Sequence, residues 1–260
     1  MEWLKQHVRV TASLMVREMS TRYGGKPGGY LWALIDPVAH VAMMTIIFQA
    51  ISRLPALGTS FALFFASGYL PYMFYSSMAA FINGAVKANR ALLNYPIVAP
   101  IDVVASRYLV QLLTSSFIAF LVLCLVTIED RVSVFGAIHF DKLVPACLMA
   151  TLLGLGVGVA NIALFARSSL YEQVFGIVTR PLLLVSGVFF LPDSLPHPFR
   201  DLVMYNPLVH AIMWFRSGIY PEYRAAGLDI GYLLEWTACA LAVGALIFTI
   251  SAQRLREERL

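Results

Sequence analysis

Charge is what this chain is most short of. Asp, Glu, Lys and Arg make up 13% of its 260 residues and hydrophobic residues 59%, whereas a soluble domain is about 25% charged. With a mean hydropathy of +0.74, a water-soluble fold is excluded, because it could not hide that much apolar surface. Net charge is only +4, and no folded polar domain gathers the 19 Lys and Arg into a patch, which excludes a nucleic-acid reader. The three cysteines, Cys124, Cys147 and Cys239, lie inside apolar runs without ligand spacing and read as small buried hydrophobes.

Motifs for chemistry are equally scarce. No G-x-x-x-x-G-K-[ST] pattern occurs, so any ATP that drives this chain binds another subunit. His40, His197 and His210 are far apart, and Asp36 and Glu235 form no H-E-x-x-H with them, so no metal site is expected. Gly154, Gly156 and Gly158 lack the spacing of a dinucleotide loop and follow no strand; close helix packing through Gly154 and Gly158 is the expectation. Lys5, Arg9, Arg17 and Glu18 interrupt the stretch where a cleavable signal needs an unbroken apolar core.

What the chain does have is long apolar runs, each near the 20 or so residues a helix needs to cross a bilayer. The fold class is therefore an all-α integral membrane protein. Residues 1–29 read as an interfacial helix and turn. Leu4, Val8, Ala12, Met15 and Met19 recur on one face, opposite Lys5, Gln6, Arg9, Ser13 and Arg17, with Trp3 at headgroup depth. Residues 30–260 read as a six-span domain, with spans at about Tyr30–Ser52, Phe61–Val86, Tyr108–Ile128, Leu143–Ala166, Gln173–Leu191 and Ile230–Ala252. Arg180-Pro181 interrupts the fifth.

An even number of spans puts both termini on one side, and the cations choose the side. With the termini inside, the cytoplasmic set is Lys5, Arg9, Arg17, Arg22, Lys26, Lys87, Arg90, Arg107, Arg167, Arg180, Arg254, Arg256 and Arg259. Arg53, Arg131, Lys142, Arg200, Arg216 and Arg224 remain outside. Residues 192–229 are too long for a hairpin and too apolar for a solvated loop, while five prolines forbid one continuous helix. Two short helices, near Phe199–Tyr205 and Leu208–Tyr220, re-entering the outer leaflet account for this and suggest a pathway.

Arg180 either snorkels to the cytoplasmic interface or faces a wet passage and attracts an anion; the second is the working expectation. Asp36, before Pro37, is either paired or close to the headgroups. Aromatic residues gather at Tyr69, Tyr72 and Tyr75, at Phe189 and Phe190, and at Trp214, beside Arg216. They serve a lipid-facing belt or helix packing, or else offer flat faces along which sugar can slide. Between the second and third spans, about 88–103, lies an amphipathic cytoplasmic segment with Arg90, Leu92, Leu93, Tyr95, Pro96 and Asp102, whose apolar ridge calls for a protein cover or lipid.

Certain stretches carry a resemblance from end to end. They are Arg17-Glu18-Met19-Ser20-Thr21-Arg22-Tyr23-Gly24, Gly29-Tyr30-Leu31-Trp32-Ala33-Leu34-Ile35-Asp36-Pro37 and Pro96-Ile97-Val98-Ala99-Pro100-Ile101-Asp102. To these add Ser186-Gly187-Val188-Phe189-Phe190, Asn206-Pro207-Leu208-Val209-His210 and Trp214-Phe215-Arg216-Ser217-Gly218. In this the chain resembles the permease subunit of type-2 ABC exporters, in particular those of capsular polysaccharide. The resemblance implies a homodimer with a channel at its interface and two separate ATPase subunits that bind ATP and Mg. It also implies coupling through the 88–103 segment and re-entrant helices at the outer end. The implied cargo is an acidic, lipid-anchored glycan crossing a bacterial inner membrane, passed to a periplasmic co-polymerase and an outer-membrane channel. Same-class export of O-antigen, teichoic acid or another amphiphile, and a membrane-embedded transferase, are the alternatives.

Overall fold

The computed structural model describes residues 2–23, 29–52, 54–95, 97–130 and 138–257, and these are helical with no strand among them. In chain order the helices are α1 (Glu2–Tyr23), α2 (Gly29–Ile51), α3 (Phe61–Asn83), α4 (Ala85–Ala88), α5 (Pro100–Asp130) and α6 (Phe140–Arg167). They continue with α7 (Ser169–Thr179), α8 (Leu182–Val185), α9 (Phe199–Met204), α10 (Pro207–Ile219) and α11 (Ile230–Glu257). Single 3₁₀ turns occupy Leu92–Asn94 and Pro192–Ser194.

Among the described residues four helices are long and apolar enough to cross a membrane: Leu31–Ile51, Pro100–Ile128, Phe140–Arg167 and Ile230–Ser251. α3 matches α2 in length at 23 residues, but Ser67, Tyr69, Tyr72, Tyr75, Ser76 and Ser77 dilute its apolar character. It can carry them because it is the inner helix, packed against α2, α5, α6 and α10, so its polar groups find protein partners instead of lipid.

Two expected boundaries move. The third span starts at Pro100, not near Tyr108, because proline suits a first helical position and Asp102 Oδ2 reaches back to accept the Ala99 N–H at 3.0 Å. The stretch expected as the fifth span is helical only as far as Val185, not Leu191, and its break leaves no helix there among the four long enough to cross. Pro181 lacks an N–H and crowds the Ile177 carbonyl, so α7 stops at Thr179 and only one turn, α8, follows. The chain then turns at Gly187, whose φ of +78° favours glycine. The two short helices expected before the last span are α9 and α10.

α6 is the hub, packed on α3 and α11. A Cβ on Gly154 would sit 2.6 Å from the Tyr75 carbonyl oxygen, and one on Gly158 would sit 2.7 Å from Ile82 Cβ. This is the close approach expected of small residues between helices in lipid. α1 docks on α5 through His7, Val10, Leu14 and Glu18. Val8, 63% exposed, and Met19 face away from the bundle, which leaves that apolar face for lipid. The Trp3 side chain lies outside the described residues.

Candidate coupling network and translocation groove

In lipid a buried charge persists only if it is paired and its remaining hydrogen-bonding capacity is met. Glu18, only 5% exposed, meets that condition. Its Oε1 accepts from Asn89 Nδ2 at 2.5 Å and from Arg107 Nε at 3.0 Å. Arg17 donates to Asn89 Oδ1 at 2.7 Å, and Arg107 donates a second bond to the Phe81 carbonyl at 2.8 Å. Arg22 donates to Gln111 Oε1 at 2.6 Å, and Gln111 passes the contact on to Ser77 and Ser115. The Arg22 and Arg107 guanidinium groups lie 4.2 and 4.5 Å from the Phe81 ring centroid. His7 Nδ1 stands 2.7 Å from Asp102 Oδ1. One polar network thus joins α1, the end of α4, α5 and α3.

The sequence reading missed Glu18, Asn89 and Arg107 as a functional group. The available signal was an acid inside a mostly basic N-terminal helix, in a chain where every charge is costly. Among the expected coupling residues, Arg90 is exposed and Tyr95 is 62% exposed, while Pro96 lies outside the described residues. Leu92 and Leu93 do not form the outward ridge: they pack inward on the cluster of Leu14, Val86 and Val103. Asp102 is only 3% exposed and committed to His7 and the Ala99 N–H, so it is not free to orient a partner. The exposed apolar ridge is instead Tyr95, Ile97 and Ile101.

The expected pathway residues divide into groups. Tyr72, Tyr75 and Arg180 come together in a groove of about 470 Å³ between α3, α6 and α7, with Phe175 opposite and Asn83 at one end. Arg180 is exposed. A second hollow of about 530 Å³, lined by Lys87, Arg90 and Glu172, adjoins it through Asn83, Phe165 and Glu172. Asn83 Oδ1 is buried there without a hydrogen-bond partner among the described residues. Tyr69 lies 6.3 Å from Tyr72 between ring centroids and stacks on His40 at 4.4 Å. Phe189 packs instead with Phe48 and Phe65, and Trp214 against the main core.

Arg216 corrects an expectation. It is 0% exposed, and its guanidinium donates to the carbonyls of Gly187 at 2.6 Å, Val188 at 2.6 Å and Phe190 at 3.0 Å and, at 3.4 Å, to Ser67 Oγ. Its face lies 4.5 Å from the Phe64 ring centroid. It closes the non-helical turn after α8 and has no open face for a passing solute. Among the described residues no three His, Cys, Asp or Glu are grouped to hold a metal ion.

Residues 9–220 match the family described as ABC-2 type transporter. The polysialic acid transport protein KpsM of Escherichia coli is 30% identical over 253 residues, covering 97% of this chain and 95% of that protein. The capsule polysaccharide export inner-membrane protein BexB of Haemophilus influenzae is 24% identical over 241 residues, 92% of this chain and 89% of BexB. CtrC of Neisseria meningitidis serogroup A, which bears the same description, is 23% identical over 239 residues, with the same coverage of 92% and 89%. With the family matched over most of its length and relatives matched nearly end to end, the chain belongs to the ABC-2 type transporters, as a membrane subunit in the capsule polysaccharide export group of KpsM, BexB and CtrC.

Proposed function

We propose that this chain is the inner-membrane permease of an ATP-driven exporter that carries an acidic, lipid-anchored capsular polysaccharide through a channel at a homodimer interface. It is a transport component, and ATP is bound by a separate ATPase subunit. The observation that carries the reading is the tie between an exposed ridge and the spans. Tyr95, Ile97 and Ile101 stand out beside the start of α5, which Glu18, Asn89 and Arg107 clamp to α1 and α3. Force delivered to that ridge by two closing ATPase subunits, with Mg at their nucleotides, would move α3 and its Tyr72–Tyr75–Arg180 groove as one body.

The spans in this reading are α2, α3, α5, α6, α7 with α8, and α11, with α9 and α10 re-entrant from the outer side and both termini cytoplasmic. Outward apolar faces on α2, such as Trp32 and Ile46, and on α7, such as Ile177 and Val178, are free for a second copy and for lipid. The polymer then passes to a periplasmic co-polymerase and an outer-membrane channel. The names of the relatives, which concern capsule and polysialic acid, support an acidic glycan as cargo.

Three results are expected. Single cysteines at Asn94 and Ser194, in a protein lacking Cys124, Cys147 and Cys239, label from opposite faces of the membrane; labelling of both by an impermeant reagent from outside removes the six-span arrangement. Tyr95→Ala with Ile97→Ala weakens ATPase co-purification while insertion is unchanged. Losing an interface anchor costs about 2 kcal/mol, roughly thirtyfold in affinity, and wild-type co-purification would move the docking site elsewhere. Arg180→Ala impairs export of an acidic glycan without loss of assembly, because it removes the fixed cation that the groove presents to a passing anion; unchanged export would leave Arg180 only the snorkelling role.

A further inference from the structure

A crevice of about 370 Å³ opens between α6, α10 and α11, and its walls are almost wholly hydrocarbon. Leu153 and Val157, one turn apart on α6, face Trp236 and Val243, two turns apart on α11, with Asn206 at the α10 end. Beside it the two long helices touch backbone to backbone. A Cβ on Gly156 would lie 2.6 Å from the Ala240 carbonyl carbon, and one on Gly244 would crowd the Gly156 carbonyl. That contact holds α6 and α11 at close approach beside the crevice.

The crevice is not isolated. Tyr75 and Leu182 line both it and the groove that holds Arg180. Across that shared wall the groove offers Arg180 and aromatic rings, and the crevice offers hydrocarbon. Glu172, which also lines the groove, shares the adjoining hollow with two cations, Lys87 and Arg90. A groove and crevice of this polarity complement an amphiphile with an anionic head and a hydrocarbon tail, and neither a free sugar nor a neutral lipid complements both. Resting on the export function proposed above, we propose that the α6–α11 crevice holds the acyl chain of the exported glycolipid while its anionic head lies beside Arg180. The tail is thereby retained near the channel as the head and the first sugars enter it.

Fluorescence quenching tests this in the assembled transporter, with its ATPase subunits, in nanodiscs of unbrominated lipid. Trp3, Trp32 and Trp214 are replaced by Phe, which leaves Trp236 as the reporter in the crevice. The probes are an oligosialic acid capped with a brominated hexadecyl phosphate, and a brominated hexadecylphosphocholine with the same chain. The expected result is quenching of Trp236 by the acidic glycolipid at about tenfold lower concentration than by the phosphocholine, since the glycolipid is a net anion while the phosphate of the phosphocholine is offset by its own trimethylammonium. Val157→Phe, which fills the crevice, should abolish the quenching, and Arg180→Ala should erase the difference between the probes. Equal quenching by both probes in the parent protein means ordinary lipid fills the crevice and overturns the proposal. Absence of quenching while the glycolipid still stimulates ATP hydrolysis overturns the tail site alone and leaves the export function standing. Absence of both overturns the two together.

Discussion

Replacing Arg216 with methionine is expected to lower the unfolding midpoint of the detergent-purified protein by on the order of 10 °C, with a matching loss of monodisperse material. Arg216 is wholly buried and is the shared donor for the carbonyls of Gly187, Val188 and Phe190. Methionine fills much of the volume but donates nothing, and each orphaned carbonyl costs about 1 to 3 kcal/mol. For a chain of this size each kcal/mol moves the midpoint by about 2 to 4 °C. Lysine should rescue little, because one ammonium cannot span three carbonyls in the fork geometry of a guanidinium. Gly68→Ala should resemble the methionine variant, since its Cβ would lie 2.6 Å from Arg216 Nη2 and 2.8 Å from the Val188 carbonyl oxygen. An unchanged midpoint for Arg216→Met would mean the turn after α8 is held by something else.

The second large effect belongs to Glu18. Glu18→Ala leaves the Arg107 guanidinium buried against α1 without its carboxylate, and breaking a buried pair from one side costs about 3 to 5 kcal/mol. α1 should then detach from α5, with faster tryptic cleavage at Lys5 and Arg9 and loss of ATP-coupled export. Combining Glu18→Leu with Arg107→Met removes both charges, so stability and protease resistance should largely return. Export should not return, because Asn89 and Phe81 lose the partners that tie the 88–103 segment to α3. Full export by the double variant would show that the network only stabilises the docked helix and transmits nothing.

Much of the architecture could be read from the chain because lipid imposes a strict rule: long apolar runs become helices. Tyr30–Ser52 and Ile230–Ala252 correspond closely to α2 and α11, and the prolines between 192 and 221 correctly separate α9 from α10. Misjudged boundaries lay where a local backbone effect outweighed hydropathy. Pro100 and Asp102 begin α5 early, and Pro181 with Gly187 ends α8 before Leu191. The site was less legible, because hydropathy records that a charge is present and not what it meets. Glu18 finds Asn89 across 71 residues and Arg107 across 89, and no periodicity links such positions. Arg216 was misplaced for the same reason: an arginine among aromatic residues suggests a conduit until its three carbonyl partners, 26 to 29 residues earlier, are seen. Tyr72, Tyr75 and Arg180 do share one groove, since the first two face one side of α3 and Arg180 stands at the break that ends α7.

The proposed export reaction is the ATP-driven movement of an acidic lipid-anchored glycan across the bilayer by this membrane subunit and its separate ATPase. Its most direct test uses proteoliposomes containing the permease and its ATPase, with both nucleotide sites facing outward and a glycolipid of defined length added outside. After ATP is supplied, a fraction of the glycan should become resistant to an added glycanase and regain sensitivity when detergent opens the vesicles. That fraction should fall to background with a non-hydrolysable nucleotide. Protection that develops equally without ATP or without the ATPase, or that never develops although the two subunits assemble and hydrolyse ATP, would contradict the account.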